Sequence, residues 1–595
     1  MAEDHIAPTL HADDLENPKV EHSRHRTLGN VRLRHHETNE IILVPTPSND
    51  PNDPLNWPQW YKKTIAVIVC MAMLWCNFLA AGPTVAIMST TMDFFPSSNP
   101  AVDPAGYNAN IAKISFFYTT TALLQGTSNF VWVPLATKYG RRPVYLVSYI
   151  SSPCWTVLEP VRPRVDWPTS VRSLAVTQFA DVYLKFIYLV STIWAIFDHS
   201  YAGFLAARIV MGIGSGAAET IAPITIADVF FLHERGAIMA LYTSFLSAGV
   251  GFGMVISGLI TINYSWRVIY DVTAACVGFI LLLAFFAFPE TAFNRDDRPL
   301  ADDPYLAGTT SPHGSEKSHQ TDRLSGIEQA SPPPTRLKKK SYVQMMSLLN
   351  GSFTSEPFLK MVLRPLGLIC LPPVLWAALT EAVTIGFLIA LTSNVSVAYA
   401  SAYDFQAWQV GLCFIAACVG SVFGVPAGGH LGDVVADYFT RRNGGIREPE
   451  MRLPAMTLSL ITAPLALILY GVGIQKKLHW ICPTIGLGLM NFSIVQGTNI
   501  ALVYVIDAYR PVAGEITLAV MGFKSLFGFL LSFYTNPWVN ESGYQDAYGT
   551  MAGVTAAIIL CWVPLYLWGR RIRHSTWSWP VISYVHWHED RETGE

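Results

Sequence analysis

The composition of the chain is that of a membrane protein. The chain has 595 residues, of which 51% are hydrophobic and only 14% are charged, and its formal net charge is −3. Because about a quarter of the residues in soluble domains are charged, this composition excludes an ordinary soluble protein, and no nucleic-acid partner is expected. The nine cysteines are scattered without a CxxC pair, so we expect no metal and no other cofactor.

Twelve apolar runs, each long enough to cross a bilayer, follow a polar leader. Residues 1–60 lack the apolar core of a signal peptide, so the first run is expected to direct insertion. Residues 289–360 are polar, and part of them has the composition of a disordered segment. The predicted spans are 64–88, 111–136, one within 143–198, 201–229, 236–262, 266–288, 364–393, 404–432, 452–473, 479–506, 515–536 and 547–568.

This pattern predicts an all-α polytopic membrane protein whose 12 transmembrane helices form two six-helix bundles. Lys and Arg are concentrated in one set of loops, whereas the loops around 89–110, 394–403 and 537–546 contain none. By the positive-inside rule both termini are cytoplasmic, and the plasma membrane is the expected location. The predicted segments are a cytoplasmic tail (1–60), a first bundle (61–288), a cytoplasmic linker (289–360), a second bundle (361–570) and a cytoplasmic tail (571–595).

The third span is interrupted by polar sequence. Residues 151–185 contain prolines, arginines and acids that do not suit a lipid-facing helix, and without them the flanks join into one span of about 20 residues. Our hypothesis is that 151–185 is a translated intron or another gene-model error. The alternative is a real cytoplasmic insertion, with the third span at about 182–198 and Lys185 at its inner end.

Several motifs resemble those of the major facilitator superfamily. "PLATKYGRRP" (134–143) resembles its loop 2–3 signature, "GGHLGD" (428–433) the second-half copy, and "FLAARIVMGIGSGA" (204–217) its span 4 signature. "LVPTPSNDPNDPLNWP" (43–58) and "RRNGGIREPEMRL" (441–453) resemble fungal members of the drug:proton antiporter-like group. Thr137 replaces the usual loop acid, and Met254 replaces the usual proline of the antiporter motif in span 5.

The resemblance implies the major facilitator fold and secondary active transport by a monomer in the lipid bilayer, with a small-molecule substrate and protons as partners. No GxxxxGK[ST] loop for ATP and no catalytic cluster is present in the sequence, so an enzyme is not expected. The favoured function is proton-coupled efflux of a drug-like or secondary-metabolite molecule. The alternatives are proton-coupled uptake of an organic cation or polyamine, and a transporter-like sensor that does not transport.

Ionisable residues inside the spans are candidates for the substrate and proton pathway, because such groups are costly in a bilayer. Arg208 and Glu219 in span 4 are eleven residues apart, so they share one helix face about 16 Å apart. Glu381 lies alone in span 7, and Lys524 in span 11 either snorkels toward the cytoplasm or charges the cavity. Polar stripes in spans 2 and 10 add Gln125, Gln496 and Asn499. Structural hydrogen bonds between helices are the alternative role for these residues.

The loop motifs are interpreted as a cytoplasmic gate. Gly140 allows a tight turn. The other expected members are Arg141 and Arg142 in the first half and Asp433, Arg441 and Arg442 in the second. Asp228 with Arg235, and Asp507 with Arg510, are expected to lie at the same ends of their spans. The alternative is that the positive charges only fix the orientation of the chain.

Overall fold

The computed structural model describes residues 31–32, 48, 50–96, 104–144, 187–293, 339–347, 352–354, 356–509, 512–577 and 579. The hypothetical insertion 151–185 lies outside the described residues, as do most of the N-terminal tail, the linker between 294 and 338, Arg510 and most of the C-terminal tail. The described chain is helical except for two short strands, β1 (Val31–Arg32) and β2 (Ile446–Arg447), which pair antiparallel.

The first half has six helical spans. Span 1 consists of Gln59–Ala81, a 3-10 turn at Gly82–Ala86 that contains Pro83, and Ile87–Phe94. Span 2 is Pro104–Thr127 followed by Asn129–Tyr139, and span 3 is described from Ile187–Phe197. Spans 4, 5 and 6 are Tyr201–Val229, Leu232–Asn263 and Val268–Ala287.

The second half repeats the pattern after two short helices, Tyr342–Met345 and Phe358–Leu368. Span 7 is Pro372–Tyr403, and span 8 is built from Ala407–Cys413, Ile415–Gly428 and His430–Arg442. Span 9 joins a 3-10 segment, Pro449–Met456, to Thr457–Gln475, and span 10 is Ile481–Ala508. Spans 11 and 12 form Ala513–Leu560 with one non-helical residue, Gly543, and Trp562–Trp577 extends span 12.

Ten helices in the described residues are long and apolar enough to cross a membrane. The remaining two predicted spans are span 2, whose helix carries the polar stripe, and span 3, of which only the last 11 residues are described. The predicted all-helical membrane fold is therefore confirmed, with a helix count consistent with 12.

The two halves pack through small residues. Span 5 lies against span 8, where a side chain added at Gly411 would come within 2.6 Å of the Met254 carbonyl oxygen. Ser247 Oγ donates to Asn491 Oδ1 at 2.6 Å and accepts from Ser421 Oγ at 2.9 Å, so polar bonds also cross the interface. Glycine and serine let helix backbones approach closely where the two halves meet.

The bundle has a basic end and an opposite end. The basic end carries Gly140, Arg141, Asp433 and Arg447, and the opposite end carries Phe94, Ser200 and Asp404. The halves touch at both ends in the described chain. At the basic end, Val133 and Ile224 pack with Leu518. Toward the opposite end, Ser396 Oγ donates to the Thr84 carbonyl at 3.2 Å. A cavity between these contacts is therefore enclosed by both halves.

Candidate functional site

A small cavity lies between the halves at the middle of the bundle. Its volume is about 90 Å³, below the roughly 300–1,000 Å³ of pockets that hold drug-sized ligands. The cavity is therefore contracted in this conformation. Its wall combines apolar, hydroxyl and charged side chains from both halves: Asn77, Ala80, Ala81, Thr84, Tyr118, Thr119, Ala122, Gln125, Glu219, Leu246, Val250, Ile385, Leu388, Ile389, Thr392, Ser393, Ile494, Lys524, Ser525 and Ser532.

A buried ion pair joins the two halves at this cavity. Lys524 Nζ of span 11 donates to Glu219 Oε1 of span 4, and each side chain is only 4% exposed. The second oxygen of Glu219 has no hydrogen-bond partner among the described residues. Because the partners are on opposite halves, separating the halves requires this pair to break or move.

A second carboxyl, Glu381 of span 7, lies beside the pair. It is 1% exposed, and neither of its oxygens has a hydrogen-bond partner in the described part of the chain. The charged groups that act on it electrostatically are Lys524 and Glu219. An isolated carboxylate in a bilayer costs several kcal/mol, so Glu381 needs a proton or a cation to balance it.

The three ionisable groups lie at one depth. Glu381 is nine residues after Pro372, Lys524 is eleven after Ala513, and Glu219 is ten before Val229. At 1.5 Å per helical residue they lie roughly 14–17 Å from the helix ends on the basic side, near the middle of a bilayer core of about 30 Å. Of the two positions expected for Lys524, snorkelling toward the cytoplasm or charging the cavity, the structure has the second, because Lys524 lines the cavity.

Arg208 lies away from this cavity and is fully buried among backbone carbonyls. Its Nε donates to the Phe117 carbonyl at 2.9 Å, and its Nη1 donates to the Leu79 carbonyl at 3.1 Å. The guanidinium also lies 5.1 Å from the ring centroid of Tyr118. Arg208 therefore ties spans 1, 2 and 4 together, and it does not line the cavity with Glu219.

The residues of the two polar stripes have two kinds of position: some line the cavity, and others form hydrogen bonds between helices. Gln125 of span 2 lines the cavity. Gln496 donates to the Ala455 carbonyl at 2.8 Å and accepts from Ser459 Oγ. Asn499 donates to the Gly428 carbonyl at 2.8 Å. The span 10 residues thus bind neighbouring helices of their own half.

At the basic end, Gly140 makes a turn that only glycine adopts readily, with φ of +106°. A side chain there would also collide with the Glu290 carboxyl, 2.3 Å from the Cβ position. Glu290 accepts hydrogen bonds from the backbone N–H groups of Arg141 at 2.8 Å and Arg142 at 3.2 Å. The carboxyl therefore anchors the loop to the end of span 6, a role not evident from the sequence motif.

The two loop arginines have different partners. Arg141 Nε lies 3.0 Å from Asp228 Oδ2 at the end of span 4. Arg142 is buried, and its guanidinium donates to the carbonyls of Phe285, at 2.9 Å, and Phe288. These carbonyls end span 6, where a cation complements the helix dipole. Both arginines therefore hold elements within the first half.

In the second half, Asp433 is bound by arginines other than the predicted ones. Arg452 Nη2 lies 2.5 Å and Arg447 Nη2 lies 3.5 Å from Asp433 Oδ1. Arg441 and Arg442 are exposed, and Arg442 lies over the Tyr438 ring at 5.0 Å. The "RRNGGIREPEMRL" motif gives no indication that its later arginines, Arg447 and Arg452, fold back onto Asp433.

Two contacts at the basic end cross between the halves. Arg235 Nη1 of span 5 lies 3.9 Å from Asp507 Oδ1 of span 10. Asp433 of span 8 also approaches Gly236 of span 5. Its carboxyl oxygen lies 2.5 Å from the position that a Cβ atom on Gly236 would occupy. Asp228 and Asp507 thus pair with Arg141 and Arg235, a different pairing from the one expected along the sequence.

A larger cavity of about 580 Å³ lies at the basic end, outside the interface of the halves. It is bounded by the segment before span 1, by the end of span 6 and by the linker residues Lys339, Lys340, Tyr342, Gln344, Met345 and Phe353. None of the described residues that line it belongs to the second bundle, so it does not lie between the halves. In the part of the chain that the structure describes, no group of three His, Cys, Asp or Glu could hold a metal ion.

Two packed helical halves with a charged, enclosed cavity between them define a membrane transporter. The sequence model of the Major Facilitator Superfamily matches residues 186–531, and the chain belongs to that family. Two solved structures of the xylose transporter XylE from E. coli share the fold, with TM-scores of 0.50 and 0.51 at 14% and 12% identity. They cover 85% and 86% of this chain, and 98% and 97% of their own chains.

Three curated relatives, all fungal, match most of the chain. An uncharacterized MFS-type transporter of Schizosaccharomyces pombe is 24% identical over 90% of this chain and 89% of its own length. Protein HOL1 of Saccharomyces cerevisiae is 24% identical over 91% and 92% of the two chains. MFS-type transporter penM of Penicillium rubens is 25% identical over 89% and 88%. The chain thus resembles whole transporters rather than parts of them.

Proposed function

We propose that this protein is a proton-coupled secondary transporter that works by alternating access. The observation that carries the proposal is Glu381, a buried carboxyl without a hydrogen-bond partner among the described residues, next to the Lys524–Glu219 pair that joins the two halves. A carboxyl in this position gains a proton when it faces one side and releases it when it faces the other. Substrate binding in the same cavity then couples to proton movement.

The contacts at the basic end support a gate. Arg235–Asp507 and the approach of Asp433 to Gly236 both cross between the halves, and they must open for the cavity to reach that side. Loop charge makes the basic end the cytoplasmic one, with both termini on that side. The membrane proposed is the plasma membrane. Arg141, Arg142 and the turn at Gly140 keep each element of the first half rigid while the halves rock.

Efflux of a drug-like or secondary-metabolite molecule is the favoured direction. A relative from Aspergillus flavus, 23% identical over 68% of this chain and 91% of its own length, is named "Probable efflux pump mfs2". The cavity wall is also suited to an amphipathic molecule, since it combines apolar residues such as Leu388 and Ile494 with hydroxyl groups.

Uptake of an organic cation or polyamine is the second candidate. It is favoured by Glu381, the buried acid without a hydrogen-bond partner among the described residues, which lies one helical turn before the cavity residue Ile385. Both candidates use the same proton site, and they differ in the direction of substrate movement relative to the proton gradient. Antiport moves the substrate against the proton, and symport moves it with the proton.

The test uses purified full-length protein in proteoliposomes with ethidium, a monocationic drug-like probe, and an imposed pH gradient. Accumulation of ethidium on the side of higher proton concentration supports antiport. Accumulation on the side of lower proton concentration supports symport, and therefore uptake. Glu381→Gln should lower the gradient-driven flux at least tenfold. The matched control Glu541→Gln, which removes an exposed carboxyl at the opposite end, should leave it unchanged. Equal flux with and without the gradient in the wild type would contradict proton coupling.

A further inference from the structure

The Lys524–Glu219 pair has a consequence for how much charge the cavity can accept. Each member is 4% exposed, and they are in direct contact, so their opposite charges cancel within the cavity wall. Tyr118 is the other titratable group on that wall. Arg208 of span 4 donates from Nε and Nη1 to the Phe117 and Leu79 carbonyls, its Nη2 has no partner among the described residues, and it does not line the cavity. Of the two acids near Lys524 in the described chain, Glu381 is thus the one without an ion-pair partner.

We infer that Lys524 is a tethered counter-cation that limits the central site to one exchangeable positive charge, carried either by a proton or by one cationic group of the substrate. The inference rests on the proposed function and assigns its substrate class: amphipathic molecules with a single positive charge. The apolar part of such a molecule would lie against Leu246, Val250, Ile385 and Leu388. Dications and polyamines are disfavoured, because the second acid of the cavity already has its cation.

Lys524 has a second property, because it acts on two acids. It is in direct contact with Glu219, and its charge also acts on Glu381. A lysine ammonium on a flexible four-carbon chain can move between neighbouring carboxylates. If Glu219 loses its charge, Lys524 is free to balance Glu381, and Glu381 then no longer needs a proton. Removal of Lys524 together with the charge of Glu219 leaves Glu381 alone again.

This relation predicts a rescue that does not depend on transport. Infrared spectroscopy of the purified full-length protein in lipid nanodiscs at neutral pH reports buried protonated carboxyls by their carbonyl stretch. The wild type should show one such band in the unliganded protein, which Glu381→Gln removes. Glu219→Gln should diminish it severalfold, and the double variant Glu219→Gln/Lys524→Met should restore it. Lys524→Met alone should add a second protonated carboxyl, because Glu219 then has no cation.

The outcomes separate the two proposals. An unchanged band in Glu219→Gln, or no restoration in the double variant, overturns the role of Lys524 and leaves proton coupling through Glu381 standing. Absence of the band in the wild type contradicts proton binding at Glu381, and the role of Lys524 falls with it. Thermal unfolding of every variant identifies any that are misfolded. The double variant Glu219→Gln/Lys524→Met removes both members of the ion pair, so it leaves no buried lysine without a partner at this site.

A matched pair of probes tests the substrate class directly. Ethidium carries one positive charge, and propidium carries a second on a similar ring system. Wild-type protein should bind ethidium at least about tenfold more tightly than propidium. Lys524→Met should gain about tenfold in affinity for propidium, since one more carboxylate is available. Equal affinities in the wild type, or no gain for propidium in Lys524→Met, would overturn the limit of one charge.

Discussion

At the scale of single residues, the turn between spans 2 and 3 depends on two features that the sequence places far apart. Gly140 has a positive φ and contacts a carboxyl 150 positions away, that of Glu290. The motif identified the glycine as a tight turn. It gave no sign of Glu290, because the contact exists only once span 6 packs beside the loop.

Gly140→Ala should destabilise the protein by about 1–3 kcal/mol, because alanine is strained at this φ and its Cβ meets the Glu290 carboxyl. Thermal unfolding in detergent measures the change. The control is Gly549→Ala in span 12, where no atom lies within 4 Å of the Cβ position and helix propensity favours alanine. Equal melting temperatures for the two variants would contradict this account of the turn.

Stability should also depend on pH through Glu290. Burial is the largest influence on its carboxyl and raises its pKa above the ordinary value, although hydrogen bonds from the backbone N–H groups of Ala292, Arg141 and Arg142 act in the other direction. A raised pKa in the folded state means that stability is greatest when the carboxyl is protonated and declines as pH rises through that pKa. Melting temperatures measured upward from about pH 4.3, the ordinary glutamate pKa, should fall more steeply in the wild type than in Glu290→Gln. Parallel curves would rule this out.

Arg208 is predicted to be a structural residue rather than a coupling residue. Arg208→Met removes two hydrogen bonds to carbonyls of spans 1 and 2, so it should lower the unfolding free energy by about 1–3 kcal/mol. Protein that still folds should keep the wild-type pH dependence of ethidium flux. Arg571→Met, at an exposed arginine, should have little effect on either measurement. If Arg208→Met lost the pH dependence of ethidium flux while its stability was unchanged, Arg208 would be assigned to the proton pathway instead.

The charged residues of the spans show what sequence reasoning could find. The cost of burying a charge identified Glu219 and Glu381 as unusual without any knowledge of the fold. It could not indicate that Glu219 pairs with Lys524, 305 positions later. It also could not separate Gln125, which lines the cavity, from Gln496 and Asn499, which bind neighbouring helices.

At the scale of helices, hydropathy located the spans but not their ends or breaks. Span 1, predicted at 64–88, extends over Gln59–Phe94. Its ends contain polar residues, which a helix accommodates but which lower the local hydropathy. Spans 11 and 12 meet at a single non-helical residue, Gly543, instead of a longer loop. Tyr544 N–H donates to Gln475 Oε1 at 2.9 Å beside this glycine, a contact that the local sequence does not encode.

Packing between spans 5 and 8 should control how far the opposite end closes. A methyl group at Gly411 would lie 2.6 Å from the Met254 carbonyl oxygen, so Gly411→Ala should separate these helices. Separation of spans 5 and 8 should expose the contact between spans 1 and 7. A cysteine introduced there as Ser396→Cys should therefore react severalfold faster with a polar thiol reagent when Gly411→Ala is also present. Native cysteines are first replaced by serine or alanine. Gly553→Ala, where no atom lies within 4 Å, is the control, and equal labelling rates would contradict this role of the interface.

At the scale of the whole molecule, the third span stays the least determined part of the prediction. The hypothesis that residues 151–185 are absent from the mature protein is tested by sequencing the transcript. A chain with these residues deleted should express at least as well as the full chain and should transport ethidium, because its flanks form one span of about 20 residues. Loss of folding on deletion, or uninterrupted coding reads across this stretch, would favour a true insertion.

In the described chain the two halves touch toward both ends of a cavity of about 90 Å³. Such a conformation cannot hold a drug-sized molecule, so transport requires the halves to rock apart at one end and then at the other. Sequence reasoning predicted two bundles of spans and led to the proposal of a gate at the basic loops. It could not predict the degree of closure, because that depends on contacts between residues of separate halves.

The central claim is that Glu381 couples proton movement to this cycle, and the most direct measurement compares two kinds of flux in one variant. In proteoliposomes with equal pH on both sides, Glu381→Gln should still exchange labelled for unlabelled ethidium at saturating concentration, because the halves can still rock, although its KM should rise because the cation has lost its carboxylate. It should lose the accumulation of ethidium that a pH gradient drives in the wild type. Accumulation by Glu381→Gln at the wild-type level would show that another group carries the proton and would contradict the account.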